Sequence, residues 1–174
     1  MIVEYIVFAT DTGEVIKSGQ APADMVAIQA GPGQRAIVIP AGVIGWNGVD
    51  LEPLRAKLVA DVDTEAGAAR ARFITVIPGQ DSTYIYKARE AAAWTSGADP
   101  ATAPFLAAEA GATGAAIDDL AVSVLAMEAQ WIAIGSAIEG ARMGAKSALA
   151  AATDLPGMVA AITVDWDAVI AAAV

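Results

Sequence analysis

The chain has 174 residues, of which 20 are acidic, 10 are basic and 56% are hydrophobic, and its formal net charge is −10. That length suffices for one ordinary core, and the acidic balance disfavours nucleic acid and anionic lipid as partners. The chain has no Cys and no His, which excludes disulfides, thiolate metal sites and the commonest general base. We therefore expect no nucleic-acid partner, no cofactor and no metal ion.

Short β-strands are predicted over the first fifty residues. Ile2 to Ala9 is β-branched and aromatic, Asp11-Thr12-Gly13 is a turn signal, and Val15 to Gly19 completes a hairpin pattern. Further elements are predicted in chain order as a strand or short helix at Met25 to Gln29, a strand at Arg35 to Ile39, and a turn at Asn47-Gly48. So few strands make a β module with little stability by itself.

From residue 51 onward the pattern is helical. A helix from Pro53 to Thr75 is predicted by apolar residues at three- and four-residue spacing, namely Leu54, Leu58, Val62, Ala66, Ala69 and Phe73. Shorter helices are expected at Asp81 or Ser82 to Trp94, at Ala103 to Ala112, and up to Ile162 in the tail. The predicted fold class is α+β, with a small antiparallel N-terminal β module at residues 1–50 and an Ala-rich helical, oligomerising region at residues 51–174.

The longest predicted helix runs from Ile117 to about Thr153 and looks like one strand of a coiled coil. Its apolar residues alternate by three and four, as the a and d positions of a heptad do. The series is Ile117, Leu120, Val124, Met127, Trp131, Ile134, Ile138, Ala141, Ala145 and Ala148. We predict that its first nine members, Ile117 to Ala145, are the interface of a homo-oligomer.

A second apolar stripe flanks this series, formed by Val122, Leu125, Ala129 and Ile132. The apolar arc is therefore wider than a two-stranded seam requires. Either more than two helices meet here, or the helix packs within its own chain. Gly140 and Gly144 add small residues that allow close helix packing.

No membrane span is expected, although the mean hydropathy is +0.53. The charge-free stretch Ala129 to Ile138 is bounded by Glu128 and Glu139, and a span needs about 20 apolar residues. We expect a soluble chain.

Carboxylates are the only plentiful groups that could act in catalysis, and the closely spaced candidates among them are Asp61, Asp63, Glu65, Asp118 and Asp119. Glycoside hydrolysis uses two carboxylates, but they must face each other across a cleft. Residues one or two apart on a helix point in different directions. We therefore predict a solvated surface and no catalytic residue.

Two sets of segments resemble tail-fibre-associated proteins of tailed bacteriophages and prophages. The first resembles their small N-terminal β module and comprises Val7 to Gly19, Ala27-Ile28-Gln29 and Gly31 to Gln34. The second resembles their Ala-rich helical region and comprises Arg70 to Thr75, Gly79-Gln80, Tyr84, Lys87 to Ala91, Trp131, Ile138-Glu139 and Arg142. Together they cover most of the chain.

The resemblance implies a non-catalytic virion structural protein of the tail or tail fibre. It implies a homo-oligomer in contact with other virion tail proteins. A trimer is favoured because the apolar arc of the long helix is broad and because fibres of the resembling family are usually threefold. It places the chain in the virion tail, and in the host cytoplasm before assembly. A tail-fibre assembly chaperone and a capsid decoration protein are the alternatives, and a glycosidase is the third class.

The β module is predicted to be the docking end of the chain. The strand Ile2 to Ala9 is apolar on both faces, so both faces should be covered. The chain's own helices can cover one face, and a neighbouring subunit or virion protein is the simplest cover for the other. Removing residues 1 to 40 should then leave a helical oligomer that no longer joins its partner. Trp166, between two aspartates, is a second candidate for a partner contact.

Overall fold

The computed structural model describes residues 1–45, 48–73, 80–97 and 99–174, with the side chains of 44, 45, 48, 49, 81 and 100 left out. It confirms the α+β class. The chain forms two compact units, one from Met1–Ala68 and Glu139–Val169, the other from Ala69–Ile138 and Ile170–Val174. This division does not coincide with the predicted boundary at residue 50, because residues 139–169 pack with the N-terminal part of the chain.

A three-stranded antiparallel sheet forms in the first unit, with β1 (Ile2–Ala9) between β2 (Val15–Pro22) and β3 (Gln34–Ile39). The predicted strands are confirmed, and their register pairs Ile6 with Ser18 on one side and with Ile37 on the other. Gly13 allows the hairpin turn because its φ is +71°. A short pair, β4 (Ile44–Gly45) and β5 (Gly48–Val49), follows, and Asn47 of the predicted turn lies outside the described residues.

Each face of β1 has its own apolar cluster. Ile6 and Phe8 face a large core that also contains residues of β3, α1 (Leu51–Ala71), α5 (Leu155–Ile162) and the last turns of α4 (Ile117–Ala151). Tyr5 and Val7 face a smaller cluster with Ala21 and Val26. The segment between β2 and β3, which contains two 3₁₀ turns at Ala23–Met25 and Ala27–Gln29, therefore covers the second face. The expectation that a neighbouring subunit supplies this cover is wrong, since the chain supplies it.

The α1 helix begins where the Asp50 carboxylate accepts a hydrogen bond from the Glu52 amide at 3.2 Å. It ends at Ala71, earlier than predicted, and Phe73 is exposed just beyond it. The α5 helix begins in the same way, because Asp154 accepts a hydrogen bond from the Gly157 amide at 2.8 Å.

The second unit contains α2 (Asp81–Thr95), α3 (Pro104–Thr113) and the first six turns of α4, and α6 (Trp166–Ala171) joins the two units in sequence. Small residues let the three helices pack closely around a core of Ala88, Ala91, Ala103, Leu106, Ala121 and Val124. Pro104 suits the first turn of α3, and Gly114 ends it with a φ of +76°. The Glu90 carboxylate of α2 accepts hydrogen bonds from the Phe105 and Leu106 amides at 2.9 and 3.0 Å, so it caps α3 from outside.

Candidate interaction surface

The nine residues predicted as an oligomer interface lie at different depths in the single chain. Val124, Ile134, Ile138 and Ala145 are buried, whereas Met127 is exposed. The remaining members are half-buried, namely Ile117, Leu120, Trp131 and Ala141. Packing within the chain, one of the two arrangements that the sequence leaves open, therefore accounts for much of this series. Contact of these nine residues with another copy stays a prediction.

Three of the four residues of the second stripe on α4 are exposed in the single chain. Val122 is 64% exposed and Ile132 is 59% exposed. Ala129 is exposed as well, and Leu125 is half-buried at the edge of the three-helix core. We call these four residues the α4 stripe. Their spacing of three, four and three is that of one coiled-coil seam.

The charged residues on the same part of α4 as the stripe are all acidic. Between residues 117 and 138 the only charged side chains are Asp118, Asp119 and Glu128. Asp118 accepts a hydrogen bond from the Trp94 indole nitrogen at 2.6 Å. Glu128 is half-buried and has no ion-pair partner among the residues that the structure describes.

A second exposed apolar surface lies on the outer side of α2 and the start of α3. The rings of Tyr86 and Phe105 stack with centroids 5.9 Å apart and planes 5° apart. The Arg89 guanidinium lies 6.0 Å from the centre of the Tyr86 ring, and Ile85 is exposed one turn before Arg89. We call these four residues the aromatic patch. Sequence reasoning missed it, although Ile85, Tyr86 and Arg89 lie opposite the small core residues of α2.

The candidate carboxylates of α1 are engaged in ion pairs and hydrogen bonds. Asp63 accepts from the Arg142 guanidinium at 2.6 Å and from the Lys146 ammonium at 2.9 Å, which ties α1 to α4 within the first unit. Asp61 pairs with Lys57 one turn away. These contacts give each carboxylate a structural role.

Glu65 joins the sheet and the C-terminal segment to α1. One carboxylate oxygen pairs with Arg35 of β3, and the other accepts a hydrogen bond from the Trp166 indole nitrogen at 3.1 Å. Trp166 is half-buried against the large core. This position gives Trp166 a contact inside its own chain, and the partner contact expected for it stays a prediction.

The interactions of Asp63 with Arg142 and Lys146 predict a contribution to stability that is lost in acid. Hydrogen bonds from Lys146 and then Arg142 hold the pKa of the Asp63 carboxyl below its usual 3.8. A depressed folded-state pKa means that the contribution is present above the unfolded pKa and is lost as pH falls through the folded value. We expect Asp63→Asn to lower the free energy of unfolding at neutral pH. This loss should become progressively smaller below about pH 4. Urea denaturation at several pH values measures this, with Asp24→Asn at an exposed position as the charge control. An unchanged difference down to pH 2 would contradict it.

Comparisons with protein-family models, with curated proteins and with solved structures find no match to this chain.

By length and composition, α4 could also cross a membrane. It contains an 18-residue stretch with a mean hydropathy of 1.5, and 17% of that stretch is buried inside the chain. Core helices of soluble proteins meet the same two criteria, so length and composition do not distinguish a membrane span from a helix of a soluble protein. Glu128 falls within the most apolar part of α4, and a charged side chain at the bilayer centre is costly, at about 3 kcal/mol or more.

Proposed function

We propose that this chain is a non-catalytic structural protein that assembles with copies of itself through the exposed α4 stripe. The finer proposal, from the resemblance described above, is a subunit of a bacteriophage tail or tail fibre, with a trimer as the favoured assembly. A tail-fibre assembly chaperone or a capsid decoration protein is the alternative.

One observation carries the proposal, namely that an uncharged apolar seam remains exposed after the chain has packed its own core. Val122 and Ile132 are each more exposed than covered, and Leu125 and Ala129 continue the seam between them. Single exposed apolar residues are normal, but a contiguous stripe is typical of an interaction surface. Burying it against another helix would remove apolar area from water, at about 25 cal/mol per Å².

A substitution at one exposed position tests whether the stripe is the assembly interface. Ile132→Asp places a charge in the proposed seam, where an unpaired charge is costly, and we expect it to reduce the assembled fraction at micromolar concentration by at least tenfold. Ile16→Asp is the matched control, because Ile16 is also an exposed isoleucine and lies on β2 in the other unit. Sedimentation equilibrium measures both. If wild type is assembled and Ile132→Asp has the same mass, the α4 stripe is not the assembly interface.

The virion role has its own test. Mass spectrometry of purified phage particles would detect a structural subunit in mature virions and would not detect an assembly chaperone, which leaves before maturation. Loss of a polysaccharide-degrading activity on changing Asp61, Asp63, Asp118 or Asp119 to Asn, with folding preserved, would instead identify an enzyme.

A further inference from the structure

We propose that the α4 stripe of one copy docks on the aromatic patch of a second copy, so that the interface is formed by two different surfaces. This inference rests on the proposed self-assembly and adds the surface that the stripe meets. Both surfaces belong to the second unit, residues 69–138 with 170–174.

The composition of the aromatic patch is that of a binding hot spot. Tyr86 is 52% exposed, and Ile85 and Phe105 beside it are also exposed. Tyrosine and arginine are among the residues that contribute most to protein interfaces, because they combine large apolar area with a polar group. The stack of Tyr86 on Phe105 and of Arg89 on Tyr86 holds these side chains in place before a partner arrives. Little side-chain entropy is then lost on binding.

Arg89 gives the patch a positive charge that no described residue of the second unit neutralises in an ion pair. The guanidinium is exposed and has no ion pair with any residue in the described ranges. Lys87 on the same helix is different, since it pairs with Glu109 of α3. In a chain with a net charge of −10, an exposed arginine on an apolar surface indicates a partner that is apolar and acidic.

The α4 stripe has that chemistry. Its four residues are apolar, and Glu128 on its border is an acid with no ion-pair partner in the described part of the chain. An apolar stripe with an acidic border therefore complements an aromatic patch whose arginine has no ion pair among the described residues. The match involves both the hydrophobic contact and the sign of the charges.

Pairing of the stripe with itself is the less favourable arrangement. Residues 122 to 132 have their midpoint near Glu128, so a copy laid along the same seam brings Glu128 close to its own equivalent in either orientation. No Lys or Arg lies between residues 117 and 138 to offset that repulsion. Docking on the aromatic patch replaces this like-charge contact with an opposite-charge one.

A contact between two different surfaces has a consequence for the assembly. Each copy keeps one free stripe and one free patch after the first contact, so copies add head to tail until the chain of copies closes. Closure after three copies gives the trimer that is favoured above, and failure to close gives a filament.

Mixing two variants tests this arrangement. Arg89→Glu damages only the patch, and Ile132→Asp damages only the stripe, so each by itself should be mostly monomeric at a concentration just above the wild-type dissociation constant. A mixture still contains one intact stripe and one intact patch, and we expect a 1:1 dimer that grows no further. Both positions are exposed, and circular dichroism checks that each variant is folded. Lys17→Glu and Ile16→Asp, on β2 in the other unit, are the matched controls and should assemble as wild type.

A charge exchange tests the proposed pair directly. Arg89→Glu and Glu128→Lys should each weaken association by about tenfold, ~1.4 kcal/mol, and the double variant should regain most of the loss. The effect of each single change should shrink at high salt.

The outcomes separate this inference from the proposed function. If Ile132→Asp is monomeric while Arg89→Glu assembles as wild type, the stripe meets another surface, and the inference fails while self-assembly stands. A mixture that stays monomeric, or a double variant without recovery, also overturns it. A wild-type chain that is monomeric at all concentrations, or that binds lipid vesicles in place of a second copy, overturns both.

Discussion

Ile134→Asp will strongly destabilise the chain, whereas Ile132→Asp will leave its stability nearly unchanged. The two isoleucines are two residues apart on α4, but Ile134 is 1% exposed and Ile132 points to solvent. An aspartate at position 134 loses the burial of the isoleucine and places an unpaired charge in an apolar interior. We expect a loss of at least about 4 kcal/mol in the free energy of unfolding.

Chemical denaturation of both variants, followed by circular dichroism, measures the difference. The sequence pattern alone places Ile134 in an oligomer seam and would predict dissociation of a folded chain. If Ile134→Asp is as stable as wild type, then Ile134 is not part of the core, and the depth assigned to this side of α4 is wrong.

Phe8→Ala should cause the second largest loss in the free energy of unfolding. Phe8 is completely buried on the central strand, in the same core as Leu54, Leu58 and Leu149. Replacing a buried phenylalanine by alanine costs about 3 to 5 kcal/mol, because burial is lost and a cavity remains. Ile16→Ala on the exposed side of the hairpin is the control, with an expected loss within about 0.5 kcal/mol. Thermal or urea denaturation measures both, and similar losses for the two variants would contradict the described packing of the sheet.

Because the N-terminal strands are part of this core, removal of residues 1 to 40 should affect folding as well as docking. Removal of residues 1 to 40 removes Ile6, Phe8, Ile37 and Ile39 together, and α1 and α5 then lose their cover. We expect the first unit to unfold, so this deletion cannot separate docking from oligomerisation as the sequence suggested. The role of residues 1–50 as a docking end stays a prediction and requires substitutions at exposed positions of the sheet.

The local elements could be predicted from the sequence because they depend on neighbours along the chain. The run of β-branched and aromatic residues in β1, the turn at Gly13 and the three-four spacing of α4 each predict one element. The division into units depends instead on residues distant in sequence. Ala145 and Leu149 belong to the same buried core as Phe8, and nothing in either local pattern specifies that they share it.

The partner of an apolar helix face is also invisible in the sequence. A seam that packs on its own chain and a seam that packs on a second copy need the same apolar residues at the same spacing. The structure separates them by exposure, since Ile134 and Ile138 are covered and Val122 and Ile132 are open. The aromatic patch was missed for a related reason, because the stack of Tyr86 on Phe105 joins two helices.

Charge strengthens the case for a specific interface over non-specific association. Copies that each carry a net charge of −10 repel one another, so apolar contact alone has to overcome that repulsion. An interface that uses Arg89 against an acidic border reduces the repulsion where the copies touch. Association should therefore be stronger at moderate salt than in very dilute buffer, where the repulsion between whole copies is least screened.

The mass of the wild-type chain as a function of concentration tests self-assembly most directly. Sedimentation equilibrium at about 0.15 M salt, where the Debye length is ~8 Å, should give a mass that rises with concentration to a multiple of 17.5 kDa, with a plateau at three copies if the assembly closes as a trimer. A mass that stays at one copy from low to high micromolar concentration, for a folded chain, would contradict the account.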